Sequence, residues 1–168
     1  LTNEISKQAE QFHNEGLVRI SKKLTAETLS QVVDYFINET CYNVVYHGHV
    51  KDDGIGRLPL VEGKEFHYGS YPFSKIMTAP HLIEFFTSED VLQLAEAYLG
   101  APPTLHSMNV FWSFPQPEEH RMGQNFHRDK SHVRFCTLFV YLTDTDDASG
   151  AHEYIRYSHC PDKLKEQG

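Results

Sequence analysis

The pair Pro102-Pro103 splits the chain into two textures, and that split constrains the fold more than any other feature. Proline lacks an amide hydrogen and has a fixed φ, so no helix or central strand runs through it. Ahead of the pair, apolar residues recur at helical spacing. Ile5, Ala9 and Phe12 predict a helix over 3–15, with Gly16 as its stop. Leu29, Val32, Val33, Phe36 and Ile37 form one apolar stripe behind a Thr25 cap. Ser88 predicts the cap of a third helix through Leu99, ended by Gly100. Between these, "LVRI" (17–20) reads as a short strand. Residues 47–72, rich in Gly, His and Tyr, read as an irregular loop region of the kind that often carries function.

Behind the pair the pattern turns aromatic and β-branched. "TLHSMNVFWSF" (104–114), "NFHRD" (125–129), "RFCTLFVYLTD" (134–144) and "AHEYIRY" (151–157) read as strands, and "TDDASG" (145–150) as a turn. Helices followed by antiparallel-looking strands predict a mainly β chain with N-terminal helices, an α+β arrangement around an antiparallel sandwich or barrel. With 168 residues, a single domain over 1–168 is expected, its helical and loop part spanning 1–103 and its β part 104–168.

Charge and composition exclude some functions. Lys+Arg number 15 against Asp+Glu 23, a net charge of −8, which argues against a nucleic-acid surface. No apolar run approaches the ~20 residues that span a bilayer, so no membrane partner is expected. "LTNEISKQAE" lacks the basic and apolar regions of a signal peptide. Cys41, Cys136 and Cys160 are odd in number and widely spaced, which reads as reduced thiols in a cytoplasmic protein.

The chemistry concentrates in "FHRDKSH" (126–132). His127 and Asp129 are two residues apart, and on an extended segment i and i+2 face the same side. An imidazole and a carboxylate so placed fit two adjacent positions on one metal ion. Such mixed ligation with open positions suits Fe(II) in a facial triad. The bland alternative is a His–Asp pair on a solvated loop. Other motifs fail. "HEYIR" (152–156) has Arg156 where a zinc-protease helix needs His. "DTDDASG" (144–150) places Gly150 one position late for a calcium loop. His159 reads as a turn or surface histidine, and Cys136 as a buried structural thiol.

In their order along the chain, these segments resemble the phytanoyl-CoA dioxygenase family of Fe(II)- and 2-oxoglutarate-dependent oxygenases. "FHNEGLVRISKKLTAETLSQV" is similar to the family's opening, "FHRD" to its H-x-D metal motif, and "VYLTDTDDASGAHEYIRYSH" to its strand–turn–strand segment. The resemblance implies a double-stranded β-helix (jelly-roll, cupin-like) core, incomplete at the C-terminal end of this chain, with its first part over 104–168. It implies that His127 and Asp129 are iron ligands and that Met108, Thr137 and Phe139 border the 2-oxoglutarate pocket. Fe(II), 2-oxoglutarate and O2 are the implied cofactors, and residues 47–75 with the loop 115–125 the implied substrate lid.

The implied reaction is hydroxylation of a small-molecule substrate, with oxidative decarboxylation of 2-oxoglutarate to succinate and CO2. Related halogenases carry Ala or Gly at the carboxylate position, so Asp129 favours hydroxylation. The family's third ligand, a histidine, and its 2-oxoglutarate-binding arginine have no match before Gly168, which implies that the chain is a fragment; His152 or His159 are the candidates to substitute. Two other classes remain open: another cupin-type metalloenzyme, and a non-catalytic jelly-roll protein that binds a ligand. Neither the substrate nor the oligomeric state is legible.

Overall fold

The computed structural model describes residues 2–45, 49–57, 68–114, 125–129, 133–147 and 149–165. Its elements run α1 (Asn3–Glu15), α2 (Ala26–Asn38), β1 (Cys41–Val45), β2 (His49–Gly56), β3 (Tyr68–Ser70), α3 (Phe73–Thr78), α4 (Leu82–Phe86), α5 (Glu89–Leu99), β4 (Phe111–Ser113) and α6 (Pro161–Lys165). The helices α1 and α5 start and stop where the sequence predicts, and α2 starts behind its predicted Thr25 cap. Thr2 and Thr25 cap α1 and α2 by accepting the amides of Ile5 and Thr28 at 3.3 and 3.1 Å. Ser88 stands at the α5 cap position, but its hydroxyl donates to the Phe85 carbonyl at 2.8 Å and so joins α4 to α5.

The expected mainly β jelly-roll is overturned. Among the described residues the sheet has four antiparallel strands in the order β2-β1-β3-β4, and three of them come from before Pro102. The stretch 47–72, read as irregular loop, supplies β2 and β3. The glycines of 49–56 that suggested loop are carried in a β1–β2 ladder whose register shifts twice, between Cys41 and Tyr42 and between Tyr42 and Val44. Such shifts absorb residues that a regular strand rejects.

After Pro103 only Phe111–Ser113 of the predicted strand 104–114 joins a ladder, opposite Tyr68–Ser70. Residues 134–144 and 151–157 form no ladder among the described residues. A two-residue burial rhythm is nonetheless present over 137–142. Leu138, Val140 and Leu142 are half-buried, whereas Thr137, Phe139 and Tyr141 are exposed. Alternation orients a segment to a surface; a sheet also needs a hydrogen-bonded neighbour, which no propensity supplies. The same holds for "LVRI", where Val18 and Ile20 pack on the α1–α5 cluster without pairing.

The halves also fail to separate at residue 103. Met108 and Val110 share one buried cluster with Val32 and Phe36 of α2, Cys41, Tyr71, and Ile76 of α3. Polar groups within it are matched. Ser70 Oγ donates to the Val110 carbonyl at 2.9 Å, Tyr71 Oη to the Phe36 carbonyl at 2.7 Å, and Trp112 Nε1 to Tyr71 Oη at 2.7 Å. Gly69 lies at the tightest point, where a Cβ would overlap Cys41 Sγ.

A second cluster joins Ile5 and Ala9 of α1 to Leu94 of α5, and the Phe12 and Tyr98 rings stack at 3.9 Å. The C-terminal end of α1 is completed by residues 156–163. Its last four carbonyls have no partner within a helix. Gly16, left-handed at φ 76°, returns its amide to Phe12 at 2.9 Å. His159 Nε2 takes the His13 carbonyl at 3.1 Å, Lys163 Nζ that of Asn14 at 3.2 Å, and the Tyr157 amide that of Glu15 at 2.8 Å. Arg156 adds an ion pair to Glu15 at 2.7 Å. Cations at this end also complement the helix dipole.

Candidate metal site

Residues 125–129 form no ladder, and all five are exposed. His127 Nε2 lies 3.5 Å from Asp129 Oδ1, while the intervening Arg128 reaches the His159 carbonyl at 3.1 Å. The imidazole and the carboxylate are therefore in contact across one intervening residue.

The imidazole is also oriented. His127 Nδ1 is 2.8 Å from the Asn125 carbonyl. A carbonyl oxygen only accepts, so Nδ1 carries the hydrogen. In the neutral ring that leaves the Nε2 lone pair directed at the carboxylate. Two electron-rich atoms at this distance repel unless a cation or a proton lies between them. A backbone carbonyl on the distal nitrogen is a common way to fix the tautomer of a metal-binding histidine. The donor set thus fits a divalent cation and contributes two ligands.

The side chains of His127 and Asp129 are 51% and 60% exposed, so the pair sits at a surface. Among the described residues, no group of three or more His, Cys, Asp or Glu is arranged to hold a metal. His159 Nε2 is committed to the His13 carbonyl. The His152 ring lies on Phe139, centroids 4.5 Å apart, and its amide donates to Tyr141 Oη at 2.7 Å. Neither histidine joins the pair.

The residues expected at the 2-oxoglutarate pocket are dispersed. Met108, 7% exposed, is in the core cluster. Thr137 and Phe139 share one exposed face, as alternation predicts, and Phe139 is 59% exposed. Of the expected lid, 47–48, 58–67 and 115–124 lie outside the described residues, and so does His132. The described part of 47–75 is β2, β3 and the start of α3.

Sequence reasoning missed Asn125 and Arg128. Asn125 acts through its carbonyl, which any residue supplies, so no side-chain signal existed. Arg128 was visible as the odd member of an alternating triplet.

No helix among the described residues is long and apolar enough to cross a membrane. Comparison with protein-family models, curated proteins and solved structures returns no match.

Proposed function

We propose that His127 and Asp129 hold Fe(II) in a 2-oxoglutarate-dependent oxygenase that hydroxylates a small organic molecule. The observation that carries this reading is the oriented pair: Nε2 faces Oδ1 at 3.5 Å while Nδ1 is fixed by the Asn125 carbonyl. The likeness of "FHRD" and of the 140–159 segment to phytanoyl-CoA dioxygenases selects iron and 2-oxoglutarate among the metals and cosubstrates that such a pair accepts.

Bound iron would supply O2 activation coupled to decarboxylation of 2-oxoglutarate to succinate and CO2. The chain's own part is to present two ligands at a fixed angle, hold the imidazole in its metal-binding tautomer through Asn125, and fill with Asp129 the position that a halide would need. Exposed Thr137 and Phe139 remain available to cosubstrate, whereas Met108 is buried in the core cluster.

A second reading, a surface His–Asp ion pair without metal, is favoured by the exposure of both side chains. Anaerobic titration with Fe(II) separates the two, followed by assay of 2-oxoglutarate-dependent succinate release. The expected result is metal binding and succinate formation in the full-length protein, with loss of both in His127→Ala and Asp129→Ala. A His127→Ala protein that binds Fe(II) as the native chain does would sink the iron reading.

A further inference from the structure

The residue between the two proposed ligands carries a separate function. We infer that Arg128 is a positioning residue, which braces the His127–Asp129 pair by fastening its backbone to the turn that closes α1. This inference rests on the metal reading of the pair, and it concerns what holds the ligands rather than which ion they hold.

Three observations converge. First, the Arg128 guanidinium donates to the His159 carbonyl at 3.1 Å across 31 residues of sequence. Second, the three residues divide their contacts: Arg128 holds the His159 carbonyl while His127 and Asp129 meet each other 3.5 Å apart.

Third, the anchor point is itself held. Residues 155–160 form a tight turn through Ser158 N to Ile155 O at 3.2 Å and Cys160 N to Tyr157 O at 3.0 Å. Tyr157 sits in the left-handed region at φ 68°, a conformation that a non-glycine residue keeps only when its surroundings enforce it. The enforcement is visible in the Tyr157 amide on the Glu15 carbonyl, His159 Nε2 on the His13 carbonyl, and Arg156 on Glu15 Oε2.

The alternative account, a surface arginine resting on a convenient carbonyl, predicts no effect on the ligands. The bracing account is more demanding. An extended segment outside any ladder has no neighbouring strand to fix its twist, and a rotation about the backbone at 128 would swing both ligands at once. The guanidinium bond opposes that rotation. Groups that orient ligands in this way typically change metal affinity by about 10–100-fold when removed. Lysine keeps the charge and a donor but lacks the planar fork, so Arg128→Lys is expected to restore part of the function.

The test uses Arg128→Ala and Arg128→Lys in the full chain, with His127→Ala as reference. Two measurements are made. One is backbone amide hydrogen exchange over 126–129 without metal; the other is Co(II) affinity by titration calorimetry and visible absorption. In Arg128→Ala, faster exchange is expected together with Co(II) binding weakened about 10–100-fold and partial recovery of both in Arg128→Lys.

Unchanged exchange in Arg128→Ala overturns the brace, whatever the metal does. Faster exchange with unaltered Co(II) affinity overturns the positioning role and leaves a purely structural bond. If the native chain and His127→Ala bind Co(II) equally well, or neither binds it, the metal reading falls and takes the positioning role with it. The exchange data then still report whether Arg128 orders the segment.

Discussion

Replacing Tyr71 by Phe removes one oxygen from the centre of the protein and tests whether the core depends on its hydrogen-bond network. Tyr71 is 2% exposed. Its hydroxyl donates to the Phe36 carbonyl and accepts from Trp112 Nε1, both at 2.7 Å, and so ties α2, the residue after β3, and β4 at one point. The two partners suffer differently in Tyr71→Phe. The Phe36 carbonyl keeps the Glu39 amide at 3.3 Å, so it is not orphaned. The Trp112 indole N–H loses its acceptor in a half-buried site. A net loss of about 1 kcal/mol for the bond to Phe36, plus about 1–2 kcal/mol for the stranded indole, gives about 2–3 kcal/mol in all. At this chain length that lowers the melting temperature by roughly 5–10 °C.

Trp112 is the only tryptophan, so its fluorescence reports from the site of the change. Urea unfolding followed by fluorescence and by far-ultraviolet circular dichroism should give coincident transitions with an unchanged slope and a lower midpoint. Tyr35→Phe is the control. The Tyr35 hydroxyl bonds to the Lys75 carbonyl and Thr78 Oγ1, both at 3.0 Å and exposed, and water replaces such bonds at a cost under about 1 kcal/mol. Equal losses in the two variants, or a Tyr71→Phe loss within about 0.5 kcal/mol of zero, would refute the claim that burial makes this network matter.

Two further outcomes follow from the same core. Gly69→Ala should destabilise by about 1–3 kcal/mol, since its Cβ would overlap Cys41 Sγ in a fully buried position. Removing the sulfur in Gly69→Ala/Cys41→Ala should recover part of that loss, and strict additivity of the two substitutions in thermal melts would contradict the close approach. Burial pushes the Cys41 thiol from 9.0 up to about 11. The unfolded chain therefore releases this proton first as pH rises, and stability falls between pH 9 and pH 11; below pH 9 both states keep the proton and the effect vanishes. Unfolding midpoints in that window should drop less steeply in Cys41→Ala, and in the folded protein at pH 8 a thiol reagent should label Cys41 far more slowly than after denaturation.

What the sequence made legible is what local chemistry decides. The helices over 3–15 and 89–99 need only an apolar stripe with a cap or a glycine stop, and 26–38 a threonine cap and its stripe, all within fifteen residues, and the structure places the predicted ends within a residue of expectation. The turn at 145–150 is equally local; Asp146 and Ser149 build it by bonding each other's backbone. The sheet is non-local. Which of several β-prone segments pairs depends on where the others are held, and here Ser70 and Tyr71 reach out by side chain to Val110 and Phe36 and bring β3 beside β4.

The aromatic run 134–144 was the strongest strand candidate on propensity and forms no ladder among the described residues, while the glycine-bearing 49–56 does. The proposed site divides along the same line. The i, i+2 geometry of His127 and Asp129 is a property of two peptide units and was readable. Its support by Asn125 through a carbonyl, and by Arg128 through a turn pinned 141 residues away at Glu15, depends on the folded chain. A metal motif can thus be visible in three letters while the structure that holds its ligands in place is not.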